Sequence, residues 1–181
     1  MHIKLLNKYY FINTFDTNNL EKQEKATKII YRNYISLKKD INKIIKLKNF
    51  LKKKGNKFYL ANDFKLALKL GLDGVYLPSF NKKFNHLSYA KMKNFSVIGS
   101  AHNLKEIKIK ELQKVETIFI SSLFKKNKNY LGLNKFKILC NYTQNEVVAL
   151  GGISKENLKV LKLLDITGFS GISFFNKKKG P

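Results

Sequence analysis

The chain has no tryptophan, one cysteine (Cys140), two prolines and one arginine (Arg32), and only twelve acidic residues among 181. Each scarcity narrows the reading. A lone cysteine cannot form an internal disulfide and offers no thiolate cluster to a metal, which fits a reducing compartment. No apolar run approaches the roughly 18–20 residues that a bilayer-crossing helix needs. The opening stretch, Met1–Phe15, lacks an apolar segment followed by a small-residue cleavage site. The expectation is a cytoplasmic protein that does not enter a membrane. With so few acids the formal net charge is +24, which would suit a nucleic-acid backbone. That charge, however, rests on thirty-five lysines spread along the whole chain, in company with abundant asparagine, isoleucine and phenylalanine. A/T-rich codon usage produces this pattern, with lysine as the generic solvated residue. Nucleic acid is therefore not the expected partner.

What is present is a core. Apolar residues make up 44% and aromatic residues 13%, enough for one buried domain spanning residues 1–181. The organising stretch is Val147–Phe175: an apolar run, the doublet Gly151-Gly152, about a dozen helical residues, then a second apolar run from Gly168 to Phe175. Two short apolar strands joined by a helix make a parallel βαβ unit. Earlier runs at Tyr9–Ile12, Ile29–Tyr31, Lys57–Ala61, Gly74–Leu77, Phe95–Ile98 and Val115–Ile120 read as six further strands. Between them, Ser36–Lys54 carries Ile41, Ile44, Ile45, Leu47 and Leu51 at helical spacing, closed by Gly55. Eight strands alternating with helices predict an α/β chain closed into a compact (βα)8 TIM barrel. A doubly wound open sheet is the alternative. Only six residues follow Phe175, so the last helix is expected to be missing or reduced, and the apolar surface left there predicts either a homodimer that covers it or a marginally stable monomer.

Several residues at predicted strand ends can carry chemistry. Gly151 and Gly152 would let backbone amides approach a phosphate, or simply end a strand. Asn62-Asp63 reads either as a helix N-cap or as an oxygen site for a hard cation. His102 could serve as a phosphate donor or an acid–base group, or as a satisfied polar residue beside a helix start. Lys125, Lys126 and Lys128 form either an anion clamp or a solvated loop.

These pieces resemble the thiamine-phosphate synthases and their TenI-type thiazole tautomerase relatives over nearly the whole chain. Val148–Ile153 with Asn157 is similar to the A-I-G-G-I…N signature of that family, and Gly168–Ser173 to its G-x-x-G-V-A strand eight. Leu72–Leu77 resembles G-A-D-G-V-H-L, with Tyr76 in the histidine position, and Ile98–His102 resembles I-G-x-S-x-H. The resemblance implies a transferase of thiamine biosynthesis that joins a pyrimidine diphosphate to a thiazole phosphate, with small phosphorylated substrates as partners. It places Arg32, Ser100 and Lys128 at the chemistry. Arg32, Asn62, His102, Gly151, Gly152 and Ser173 would bind phosphate, and Asp63 would hold Mg2+. Arginine's fork is suited to phosphate oxygens in a way that lysine is not. Ile30 and Tyr34 replace the family's glutamine and lysine around this arginine, Asn81 replaces a second magnesium aspartate, and the loop from Ser121 to Lys128 lacks the family's threonines. Ser122 also stands where the tautomerase branch has a histidine. The departures keep open an alternative, a TenI-like protein or non-catalytic phosphate-ligand binder.

Overall fold

Strand side chains alternate between two faces, and here both faces are buried. In the computed structural model, which describes residues 5–34, 40–90 and 92–175, the chain forms eight parallel strands. They are β1 (Asn7–Ile12), β2 (Lys28–Tyr31), β3 (Phe58–Ala61), β4 (Gly74–Leu77), β5 (Ser96–Ala101), β6 (Thr117–Ser121), β7 (Glu146–Leu150) and β8 (Gly168–Ser170). They pair in chain order, and β8 closes on β1 through Asn7 opposite Gly168. The fold is the expected (βα)8 barrel.

The inward set is rich in aromatics: Tyr9, Phe11, Tyr59, Tyr76 and Phe119, with Ile30, Ile98 and Val148. Phe119 is fully buried and meets Tyr9 edge-on at 4.8 Å and Tyr76 at 5.7 Å between ring centroids. Edge-to-face packing of this kind adds to the stabilisation from area burial. The alternate residues, such as Tyr10, Ile29, Leu60, Val75 and Ile118, face outward into the layer under the helices.

Those helices are α1 (Thr17–Glu21), α2 (Ile41–Lys54), α3 (Phe64–Lys69), α4 (Leu104–Leu112), α5 (Gly132–Asn141), α6 (Leu158–Leu161) and α7 (Ile172–Phe175), with a 3-10 turn at Asn85–Ser88 after β4. No helix among the described residues is long and apolar enough to cross a membrane. In α2, Asp40 caps the first turn and Gly55 ends the helix with φ 77°. The start expected at Ser36 falls at positions 35–39, outside the described residues. Ile44, Leu47 and Leu51 face the core, while Ile41 and Ile45 are exposed.

Three differences from the sequence reading have physical causes. The β5 ladder runs on through Gly99, Ser100 and Ala101 because each pairs with β6. The run Gly168–Phe175 is strand only to Ser170. Its second half turns helical, so that Phe174 packs on Phe169 at 4.9 Å and Phe175 on Tyr10 at 4.8 Å. A helix therefore does follow β8, and the described residues include its first turn, α7. Finally, α5 answers to no helix in the sequence reading, yet it buries Phe136 and Cys140, one turn apart.

The aromatic interior yields a stability prediction. Replacing Phe119 by alanine opens a cavity at the centre of three ring contacts, and should cost about 3–5 kcal/mol in urea unfolding.

Candidate functional site

Parallel strands place all their C-terminal ends on one rim, where the following loops can converge on a ligand. Arg32, Asn62, Ser79 and Gly151 follow β2, β3, β4 and β7, while Ser100 and Ser121 lie within the last residues of β5 and β6. All six therefore share this rim.

On the β2–β5 side, the Arg32 amide donates to the Ile12 carbonyl at 2.7 Å, which fixes the backbone. Its guanidinium lies over the Phe11 ring, 5.2 Å from the centroid, and such stacking orients the planar fork. Tyr34 meets Phe80 edge-on at 5.5 Å across the β2 and β4 loops. Burial raises the pKa of Tyr34, with the Tyr76 hydroxyl adding and Arg32 opposing. Ser100 is buried and accepts from the Ser79 amide at 3.1 Å. It also hydrogen-bonds the Tyr76 hydroxyl, whose pKa burial pushes up to about 12.

Asn62 sits in the left-handed region at φ 59°, where asparagine is tolerated. Its Oδ1 accepts from Asn81 Nδ2 at 2.7 Å, linking the β3 and β4 loops. Asp63 Oδ1 accepts from the Leu66 amide at 3.0 Å and caps α3. His102 follows β5 directly, with Nδ1 at 2.9 Å from Glu106 Oε2, and the same oxygen accepts from the His102 amide at 2.8 Å. Asn103 caps the Glu106 amide in turn, so this histidine is held in a capping-box-like arrangement.

The β4 loop is fastened from beneath. Lys110 of α4 is wholly buried, and its Nζ donates to the carbonyls of Pro78 (2.9 Å) and Asn81 (2.8 Å) and to Gln113 Oε1 (2.8 Å). Burial lowers its pKa from the ordinary 10.5 to about 8, with Glu106 opposing.

On the β6–β8 side, Gly151 and Gly152 have φ of 102° and 75° and turn the chain sharply after β7. Asn157 braces this turn: its Oδ1 accepts from the Ser154 amide at 3.0 Å and its Nδ2 donates to the Gly152 carbonyl at 2.9 Å. The loop after β6 is tied to the same turn, with the Phe124 amide donating to the Gly151 carbonyl at 2.9 Å. A Cβ on Gly152 would lie 2.6 Å from the Lys125 amide nitrogen. Glycine is thus required here by the neighbouring loop as well as by any approaching phosphate. Ser173 belongs to α7, next to the end of β8. Lys128 is exposed in the β6–α5 loop, as are Lys125 and Lys126.

Sequence reasoning missed the loop after β1. Asn13, Thr14 and Asp16 line a cavity of ≈ 260 Å³ together with Phe11, Arg32 and Ile172. The polar pair directly after the apolar run Tyr9–Ile12 was the signal for it. For a divalent cation, the described residues contain no group of three or more His, Cys, Asp or Glu side chains. Asp63 and the amide oxygens beside it are hard donors. In donor chemistry they suit a hard cation such as Mg2+, which Asp63 would hold only with further oxygens from a bound phosphate or water, since Asp63 Oδ1 and Asn62 Oδ1 already accept hydrogen bonds.

A family model described as thiamine monophosphate synthase matches residues 17–175. The thiamine-phosphate synthase of Methanococcus vannielii is 30% identical over 124 residues, covering 64% of this chain and 58% of that protein. The putative thiamine-phosphate synthase 2 of Aquifex aeolicus is 32% identical over 177 residues, covering 89% and 91%. Among solved structures, thiamine phosphate pyrophosphorylase from Pyrococcus furiosus superposes with a TM-score of 0.76 at 21% identity, covering 92% of this chain and 86% of that one.

Two outcomes test this geometry. Asp63→Ala should cost about 1 kcal/mol through the lost cap, whereas Asp63→Asn should change stability by only a few tenths, as read by urea titration. For Lys110, the lowered pKa means that the unfolded chain binds more protons between pH 8 and 10.5. Stability contributed by this group therefore rises with pH across that window, so the wild type should gain on Lys110→Met by no more than about 3 kcal/mol in unfolding titrations at successive pH values.

Proposed function

Because the chain belongs to the thiamine monophosphate synthase family, we propose that it joins a pyrimidine diphosphate to a thiazole monophosphate in thiamine biosynthesis, releasing pyrophosphate. The observation that carries this reading is the meeting of Arg32, Asn62, Asp63, Ser100 and the Gly151-Gly152 turn on one barrel rim. The departing diphosphate gathers negative charge, and a fixed cation aimed at it stabilises that charge as it develops. Arg32 serves as this cation, pre-oriented on the Phe11 ring. Asn62 and Ser100 supply neutral polar contacts beside it. His102 adds a contact at the end of β5, and Lys128 closes over the rim from the β6–α5 loop.

The monophosphate belongs at the Gly151-Gly152 turn. Backbone amides there, with those at the start of α7 around Ser173, form a concave donor set of the kind that binds phosphate. Asn157 holds that set in shape. Asp63 would hold Mg2+ beside the diphosphate, where the ion would supply charge neutralisation for the leaving group.

Incubation with pyrimidine diphosphate, thiazole phosphate and Mg2+ should release pyrophosphate. Micromolar binding of both substrates with no release would overturn the proposal in favour of a non-catalytic binder. In the same assay, Arg32→Lys should weaken the diphosphate substrate by roughly 1–3 kcal/mol through loss of a bidentate pair, and leave thiazole phosphate affinity unchanged.

A further inference from the structure

Lys110 poses a physical problem that the reaction does not explain. Its ammonium is fully buried, and its three hydrogen-bond partners are neutral oxygens: the Pro78 carbonyl, the Asn81 carbonyl and Gln113 Oε1. Taking a charged group out of water without a directly bonded counter-ion is costly, and Lys110→Met would relieve that cost while giving up hydrogen bonds to neutral acceptors only. Gln113, also fully buried, donates to the carbonyls of Asn81 (3.1 Å) and Lys83 (2.8 Å), and its own carbonyl pairs with His86 Nε2 at 2.8 Å. Three carbonyls of the segment 78–83 are thus drawn inward onto one polar hub of α4.

The route to that hub is built into β5. A Cβ on Gly99 would come within 3.1 Å of Lys110 Cδ and 2.8 Å of the Leu77 carbonyl oxygen. Glycine there leaves the channel through which the lysine stem passes. With the carbonyls held inside, the loop turns other groups to the rim: the Ser79 amide meets Ser100 Oγ, and the Asn81 side chain meets Asn62.

We infer that Lys110 is a positioning residue: with Gln113 it clamps the loop after β4, and so sets Ser79 and Asn81 beside Ser100 and Asn62 on the diphosphate side of the rim. The inference rests on the proposed synthase reading for its substrate, though not for the clamp itself. Its signature is a split between stability and function. Removing the charge should leave the fold as stable or more so near neutral pH, while loosening the loop and weakening one substrate only.

The experiment compares wild type, Lys110→Met and Gln113→Met. In Lys110→Met the melting temperature should be unchanged or higher, and the Ser79 and Asn81 amides should exchange about tenfold faster or more. Amides of the Gly151-Gly152 turn should keep wild-type exchange rates. In turnover, KM for pyrimidine diphosphate should rise about tenfold with KM for thiazole phosphate unchanged. Gln113→Met removes two neutral loop bonds and one acceptor of the ammonium but keeps the charge-assisted bonds to Pro78 and Asn81, so it should loosen the same amides less, and it decides the matter if Lys110→Met does not fold. Wild-type exchange at Ser79 and Asn81, or an equal loss for both substrates, would overturn the inference. So would a loosened loop with an unaltered diphosphate KM. If the wild type itself shows no turnover, the synthase reading fails, and amide exchange alone still decides whether Lys110 clamps the loop.

Discussion

Closure of β8 onto β1 is the constraint on which everything else depends. Only three residues of β8 make this seam, and a strand that short contributes few ladder bonds of its own. The seam is covered from outside by aromatic packing, with Phe169, Phe174, Phe175 and Tyr10 in a continuous group. The two phenylalanines of α7 place large apolar area directly over the joint. A closed barrel has no exposed edge strand. It also brings the loop after β2 and the turn after β7 onto the same rim, which an open sheet would hold apart.

The two sides of that rim are built from different materials. The turn at Gly151-Gly152 depends on backbone geometry, braced by Asn157 and the loop after β6. Any phosphate donors it offers would be main-chain groups, and the one side chain their geometry visibly leans on is Asn157. The β2–β5 side depends on side chains, and there the departures from the family pattern collect. Tyr34 packs against Phe80 where a lysine would reach for phosphate, and Asn81 bonds Asn62 where an aspartate would carry charge. These are substitutions that keep the rim ordered by neutral contacts.

The barrel was legible because the strands are short, largely apolar runs ended by glycine, a polar residue or, after β4, Pro78, as in Val147–Leu150 before Gly151. The rim residues were legible for the same reason, since a polar residue after such a run has only one end of the barrel to occupy. Asp63 was readable as a cap and is one. Other parts carried weaker local signals. In α5, Phe136, Leu139 and Cys140 do recur at helical spacing, but the exposed Leu133 and Ile138 add apolar residues outside that face and blur it. In Ile172–Phe175 an apolar run looks like strand, and only packing against Phe169 and Tyr10 makes it turn. Lys110 was hidden among thirty-five lysines. The one available clue was its place three residues after Ile107 on the core face of α4, where both are buried.

The fixed charges near the diphosphate side bear on how a metal would act in the proposed reaction. Arg32 and the buried ammonium of Lys110 are positive, and Asp63 is the carboxylate following β3. A site with two facing carboxylates repels itself until a divalent cation arrives, and so binds that cation before substrate. Here the residues linking the β3 and β4 loops, Asn62 and Asn81, are neutral and already satisfy one another at 2.7 Å. No such repulsion prepares the site, and a single carboxylate supplies few of the six oxygens that Mg2+ requires. A bound diphosphate would then have to supply most of the rest. In the proposed reaction a Mg2+ at Asp63 would therefore depend on the diphosphate for its coordination, and Arg32 is the protein cation placed on the rim to meet that anion, the Lys110 ammonium being buried beneath it.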